Sequence, residues 1–105
     1  MGHSPVRLSD FDLQAIKELF IKHFCKNDKL WLFGSRVDLT KKGGDIDLYI
    51  ETNFQDAVDV TQAELYFRID LDKKIGEQKI DIVIKFKDFD LPIYQIAKDE
   101  GVRLV

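Results

Sequence analysis

The chain reads as an α/β (α+β) domain with a small mixed β-sheet flanked by helices. Three observations predict this. Asp45 to Glu51 and Lys79 to Phe86 alternate apolar and polar residues with the period of a strand. Ser9 to Phe24, Gln55 to Lys74 and the segment after Pro92 instead repeat at helical spacing. The patterns follow one another as helix, strand, loop, strand, helix, strand, helix, with no repeat or linker between them. That order predicts a single domain over residues 1–105.

Taken in order, Ser9 caps a first helix whose apolar stripe is Phe11, Ala15, Leu19, Phe20 and Phe24. Lys29 to Phe33 is too short for a globular helix and is stopped by Gly34, so it reads as a buried strand. A polar loop or short helix covers Ser35 to Gly43. In the next strand Ile46, Leu48 and Ile50 face one way, and Asp45, Asp47 and Tyr49 the other. Val58, Leu65 and Ile69 give the second helix its apolar face, with Gly76 to end it. In the third strand Ile80, Ile82, Ile84 and Phe86 share one face, and Asp81 and Val83 lie on the other. Asp90-Leu91-Pro92 starts the last helix, Gly101 caps it, and Val102 to Val105 can add a short edge strand.

Composition narrows the function classes. The chain has 105 residues, 45% hydrophobic and 33% charged, with a net charge of −3. That balance argues against a protein that tracks a nucleic-acid backbone, which needs a basic face. It leaves room for a mononucleotide, whose phosphates can be held locally. No apolar run approaches a membrane span and no signal-peptide pattern opens the chain. Met1-Gly2 is followed by Val6 where a myristoylation site would need Ser or Thr. A single cysteine, Cys25, precludes an internal disulfide and a Cys-rich zinc site. The expected location is the cytoplasm. Cys25 reads as a packed, inert thiol, His3 and His23 as surface histidines, and Trp31 and most phenylalanines as core.

The chemistry concentrates in three aspartates. Asp45 and Asp47 are two apart on a strand, so their side chains point the same way about 7 Å apart. Asp81 occupies the matching face of the later strand, and if the two strands are neighbours the three carboxylates converge. Such a cluster suffers like-charge repulsion and raised pKa values, which a divalent cation removes. Hard oxygen ligands suit Mg²⁺ together with substrate phosphates. Upstream, Leu32-Phe33-Gly34-Ser35 ends a strand in a tight turn. There Gly34 lets a phosphate approach the backbone, and the Ser35 hydroxyl can bind its oxygens. A phosphate seat beside a carboxylate cluster is the minimum equipment for phosphoryl or nucleotidyl transfer.

Gly34-Ser35, nine residues, Asp45-Ile46-Asp47 and a later strand with Asp81 together resemble the DNA polymerase beta nucleotidyltransferase superfamily. The short length resembles its minimal nucleotidyltransferases (MNT), as found in HEPN/MNT toxin–antitoxin modules. The resemblance implies a polymerase-beta-type fold with Asp45, Asp47 and Asp81 as catalytic and metal-ligating residues for two Mg²⁺ ions. Asp81 would also be the candidate general base. Gly34 and Ser35 would bind the β- and γ-phosphates of ATP, leaving Arg36, Lys41 and Lys42 as the basic candidates for phosphate contact, although Lys41-Lys42-Gly43-Gly44 reads rather as a flexible solvated loop than as a phosphate clamp. Many relatives have ten residues where this chain has nine, and Val37-Asp38 follows Arg36 here. The implied activity is an antitoxin's: transfer of AMP from ATP to a tyrosine of a helical HEPN-type partner. Two alternatives use the same residues differently: a catalytically silent binding or scaffold module, and transfer to a small molecule such as an aminoglycoside antibiotic.

Overall fold

A computed structural model describes residues 8–34 and 45–105. Its elements run α1 (Asp10–His23), β1 (Lys29–Phe33), β2 (Ile46–Glu51), α2 (Ala57–Ile75), β3 (Ile80–Lys85), α3 (Pro92–Glu100) and β4 (Val102–Arg103). The caps explain most boundaries. The Ser9 hydroxyl accepts the Asp12 N–H at 3.1 Å, and the Asp56 carboxylate accepts the Val58 N–H at 2.9 Å. Gly76 closes α2 and Gly101 closes α3, each donating its N–H to the carbonyl four residues back. At α3, Leu91 rather than Asp90 is the N-cap; it makes no side-chain bond, and Pro92 sets the first turn.

The four strands form one sheet in the order β3-β2-β1-β4. β1 is antiparallel to both β2 and β4, whereas β2 and β3 run parallel, joined by α2 as a crossover. One face packs on α1 and α2. Leu30, Leu32, Ile46, Leu48 and Ile50 meet Ile16, Phe20, Phe24, Ala63, Phe67 and Leu71 there, with Ile80, Ile82 and Ile84 at the margin. The opposite face is covered by α3, which buries Trp31 and Tyr49 under Tyr94 and Ala97. Tyr49 therefore faces the same way as the aspartates, as its alternation predicts, yet lies in a second small core.

Two helical stripes differ from the sequence expectation. On α1, Ala15, Phe20 and Phe24 are buried with Ile16, but Phe11 is exposed. Phe89 is also exposed, so two of the phenylalanines lie outside the core. On α2, Val58, Leu65 and Ile69 are 61%, 52% and 39% exposed, and the buried stripe is Val60, Ala63, Phe67 and Leu71. Both sets have helical spacing; the one containing Phe67 and Leu71 fills the space between α1 and the sheet. His23 is half-buried rather than a free surface histidine, its Nε2 2.6 Å from Asp70 Oδ2. Cys25 follows α1 and is half-buried, and burial together with the nearby Asp28 carboxylate pushes its thiol pKa up, consistent with an unreactive side chain.

The hinge between α1 and β1 is held by a carboxylate that sequence reading passed over. Asp28 is buried and accepts the Cys25 N–H at 2.8 Å, the Thr52 hydroxyl at 2.6 Å and the Asn53 N–H at 2.8 Å. It fastens the start of β1 to the exit of β2, which fixes the strand register that the site depends on.

Candidate active site

The parallel pairing of β2 with β3 sets Asp47 directly opposite Asp81. On the other flank, the antiparallel pairing sets Phe33 opposite Asp47. A row Phe33–Asp47–Asp81 therefore crosses the sheet on the face that carries α3, and Gly34 follows immediately after β1. The convergence expected of Asp47 and Asp81 is thus a consequence of register: adjacent strands lie about 4.8 Å apart and in-register side chains share a face.

Gly34 lies against this pair. Its φ is +76°, and a Cβ there would collide with the Asp47 carboxylate, with Asp47 Cγ at 3.1 Å and Asp47 Cβ at 3.3 Å. Glycine is needed twice over, for the left-handed backbone and for the approach of the turn to the carboxylate. Ser35, Arg36, Lys41 and Lys42, the other expected phosphate contacts, and His3 lie outside the described residues.

Electrostatics mark Asp47 as the strained member. Its half-burial pushes the carboxyl pKa above the usual aspartate range, and the charges of Asp81 and Asp45 and a hydrogen bond with Asp81 push it further. Asp45 stands just before β2, with its Oδ2 3.5 Å from Lys79 Nζ. Lys79 had a sequence signal, since alternation places it on the face of Asp81. Both members of that pair are solvated, so it adds little stability.

Among the described residues, no three carboxylate, imidazole or thiolate groups are gathered closely enough to ligate one ion. The structure brings together Asp47 and Asp81, with Asp45 near enough to act on Asp47 through its charge. The donor set still fits a hard divalent cation: two adjacent carboxylates, one resisting ionisation through burial and then through the charge of the other, leave coordination positions for substrate oxygens.

Further along the same face, the row Lys29–Glu51–Lys85 crosses the strands within reach of Tyr94 and Lys98 of α3. Burial acts to raise Glu51, but the Tyr49 hydroxyl, donating at 2.8 Å, and the Lys98 ammonium at 3.2 Å hold its pKa below the usual range. The Tyr49 phenol is pushed up by burial and by that same bond. This network ties α3 to the sheet and leaves the Asp47 end of the face to the site.

A mixed sheet with a parallel pair, helices on both faces and paired carboxylates beside a strand-ending glycine has the architecture of the polymerase-beta-type nucleotidyltransferases. A model of the nucleotidyltransferase domain matches residues 9–104, and the chain belongs to that family. It is accordingly a transferase domain whose substrate is a nucleoside triphosphate. No curated protein matches the chain. Among the described residues, no helix is long and apolar enough to cross a membrane.

Proposed function

We propose that this domain transfers AMP from ATP, in the presence of Mg²⁺, to a tyrosine hydroxyl of a helical HEPN-type partner, as an antitoxin does. The observation that carries the reading is the in-register pair Asp47–Asp81 beside Gly34, in a chain of the nucleotidyltransferase family. The tyrosine and the partner come from the resemblance to minimal nucleotidyltransferases.

In this reading Asp47 and Asp81, joined by Asp45, would hold two Mg²⁺ ions. When bound, the metal neutralises the triphosphate and stabilises charge on the attacking and leaving oxygens. The chain's residues do the rest. Gly34 lets the β- and γ-phosphates approach the turn, and Ser35 and Arg36 bind their oxygens. Asp81, whose side chain is exposed on the sheet face rather than along the strand edge, is open to an acceptor hydroxyl from that face and takes its proton. The hydroxyl oxygen bonds to the α-phosphorus, the bond from that phosphorus to the bridging oxygen breaks, and pyrophosphate leaves.

The test is incubation with α-labelled ATP and Mg²⁺, alone and with a co-expressed helical HEPN-type protein, followed by intact-mass measurement. AMP-sized increments on a tyrosine of that protein are expected. A labelled small molecule would move the acceptor to that class, for which aminoglycosides are the first to try. A tight complex with no transfer to anything would make the domain a binding module.

A further inference from the structure

β3 ends the sheet on its side, and among the described residues no strand pairs with its outer edge. The direction of its peptide groups follows from the β2 pairing. The Ile46 N–H donates to the Lys79 carbonyl, and the Thr52 N–H to the Lys85 carbonyl. In a parallel ladder the odd-numbered residues of β3 therefore turn their peptide groups to β2, and Ile80, Ile82 and Ile84 turn theirs outward. Arg68 takes the outward Ile80 carbonyl at 2.6 Å. The outward groups of Ile82 and Ile84 find no partner among the described residues.

The same edge carries exposed apolar side chains on its helix side. Leu65 and Ile69 form part of the exposed stripe of α2, and Ile69 and Ile80 line one groove of about 270 Å³ with Arg68, Asp72 and Gln78. Proteins commonly blunt such an edge with charge. Here the two charges on the strand, Asp81 and Lys85, are opposite in sign and equidistant from Val83. An edge with that symmetry repels many partners but complements itself.

We infer that a second copy of this chain covers the edge, β3 against β3, antiparallel about a two-fold axis at Val83. Ile82 then exchanges both peptide hydrogen bonds with the partner's Ile84, and Ile84 with the partner's Ile82. Asp81 falls opposite the partner's Lys85, and Lys85 opposite the partner's Asp81, in the closely spaced non-bonded positions of the ladder. The neighbouring registers are poorer. Centring on Ile82 requires the Ile80 carbonyl that Arg68 occupies and sets Asp81 opposite Val83. Centring on Ile84 sets Asp81 opposite Lys87, where a φ of +57° has left the strand. In the favoured register both α2 helices flank the axis on one side of a continuous sheet, which covers Leu65 and Ile69.

Sedimentation equilibrium on the full chain tests this without reference to activity. The expected mass is twice the 12.2 kDa of one chain. Lys85→Asp sets aspartates opposite each other and should halve the mass; the swap Asp81→Lys with Lys85→Asp should restore it. Ile82→Pro removes an N–H that only the second copy uses, so it should also give monomers, with the helical circular-dichroism signal retained. A wild-type monomer at high micromolar concentration would overturn the inference, as would a dimer that survives Lys85→Asp. Neither result bears on whether the domain transfers nucleotide.

Discussion

Replacing Gly34 by alanine tests the geometry of the site most directly. The residue has φ +76°, where an L side chain costs about 1–2 kcal/mol. The new Cβ also overlaps Asp47, and moving the carboxylate tip alone does not suffice, because Asp47 Cγ and Cβ stand at 3.1 and 3.3 Å from it. Overpacking of that kind costs about 1–3 kcal/mol, so the total is about 2–5 kcal/mol. Gly76 is the control: its φ is +82° and nothing lies within 4 Å of its Cβ position. Gly76→Ala should cost about 1–3 kcal/mol of backbone strain and leave the site untouched. Urea titrations at constant m give both values. Thermal melts with ATP and Mg²⁺ supply the functional arm, since a ligand at a hundredfold excess over its Kd stabilises by about 2.7 kcal/mol. Wild type and Gly76→Ala should show that shift, and Gly34→Ala should lose most of it. If Gly34→Ala costs under about 0.5 kcal/mol, as an ordinary surface change does, and keeps the ligand shift, the contact with Asp47 is not there.

On the proposed function, Asp47→Asn and Asp81→Asn keep shape and would each remove one metal-ligand charge, so transfer of label from ATP should fall about 100-fold or more while circular dichroism is unchanged. Without metal, Asp47→Asn should melt slightly above wild type, because the cost of burying the Asp47 charge and its repulsion by Asp81 and Asp45, which together raise its carboxyl, are gone. Asp28→Ala leaves three neutral donors at the β1–β2 hinge without their acceptor and should cost, by urea titration, at least the penalty of one unsatisfied buried donor, about 1–3 kcal/mol. Asp70 is held below the ordinary aspartate value of 3.8 by its hydrogen bonds to His23 and Lys22. A lowered folded pKa contributes stability that is present above 3.8 and is lost as pH falls further. The gap in Tm between wild type and Asp70→Asn should therefore be full at neutral pH and shrink below pH 4; a gap that widens there would contradict the pairing.

The local part of this protein was legible in the chain itself. Alternation in β2 and β3 needs only a period of two, so it put Asp47 on one face of β2, with Asp45 leading into it, and Asp81 on the polar face of β3. The Gly34 stop and the caps at Ser9, Gly76 and Gly101 are likewise short-range chemistry. What sequence could not decide was every question of which surface meets which. The α2 helix carries two apolar stripes at helical spacing, and packing against α1 and the sheet buried the one with Phe67 and Leu71, leaving Val58, Leu65 and Ile69 outside. Alternation also cannot tell a solvated strand face from one under a helix, so Tyr49 and Trp31 became a second core only when α3 crossed them. Asp28 looked like any loop aspartate, since two of its donors, Thr52 and Asn53, come from the far end of β2. Above all, the facing of Asp47 and Asp81 is a matter of register between strands separated by the whole of α2. Side-chain direction is a local property of the backbone, whereas adjacency is settled by the burial of both sheet faces at once, and only the folded chain satisfies both conditions.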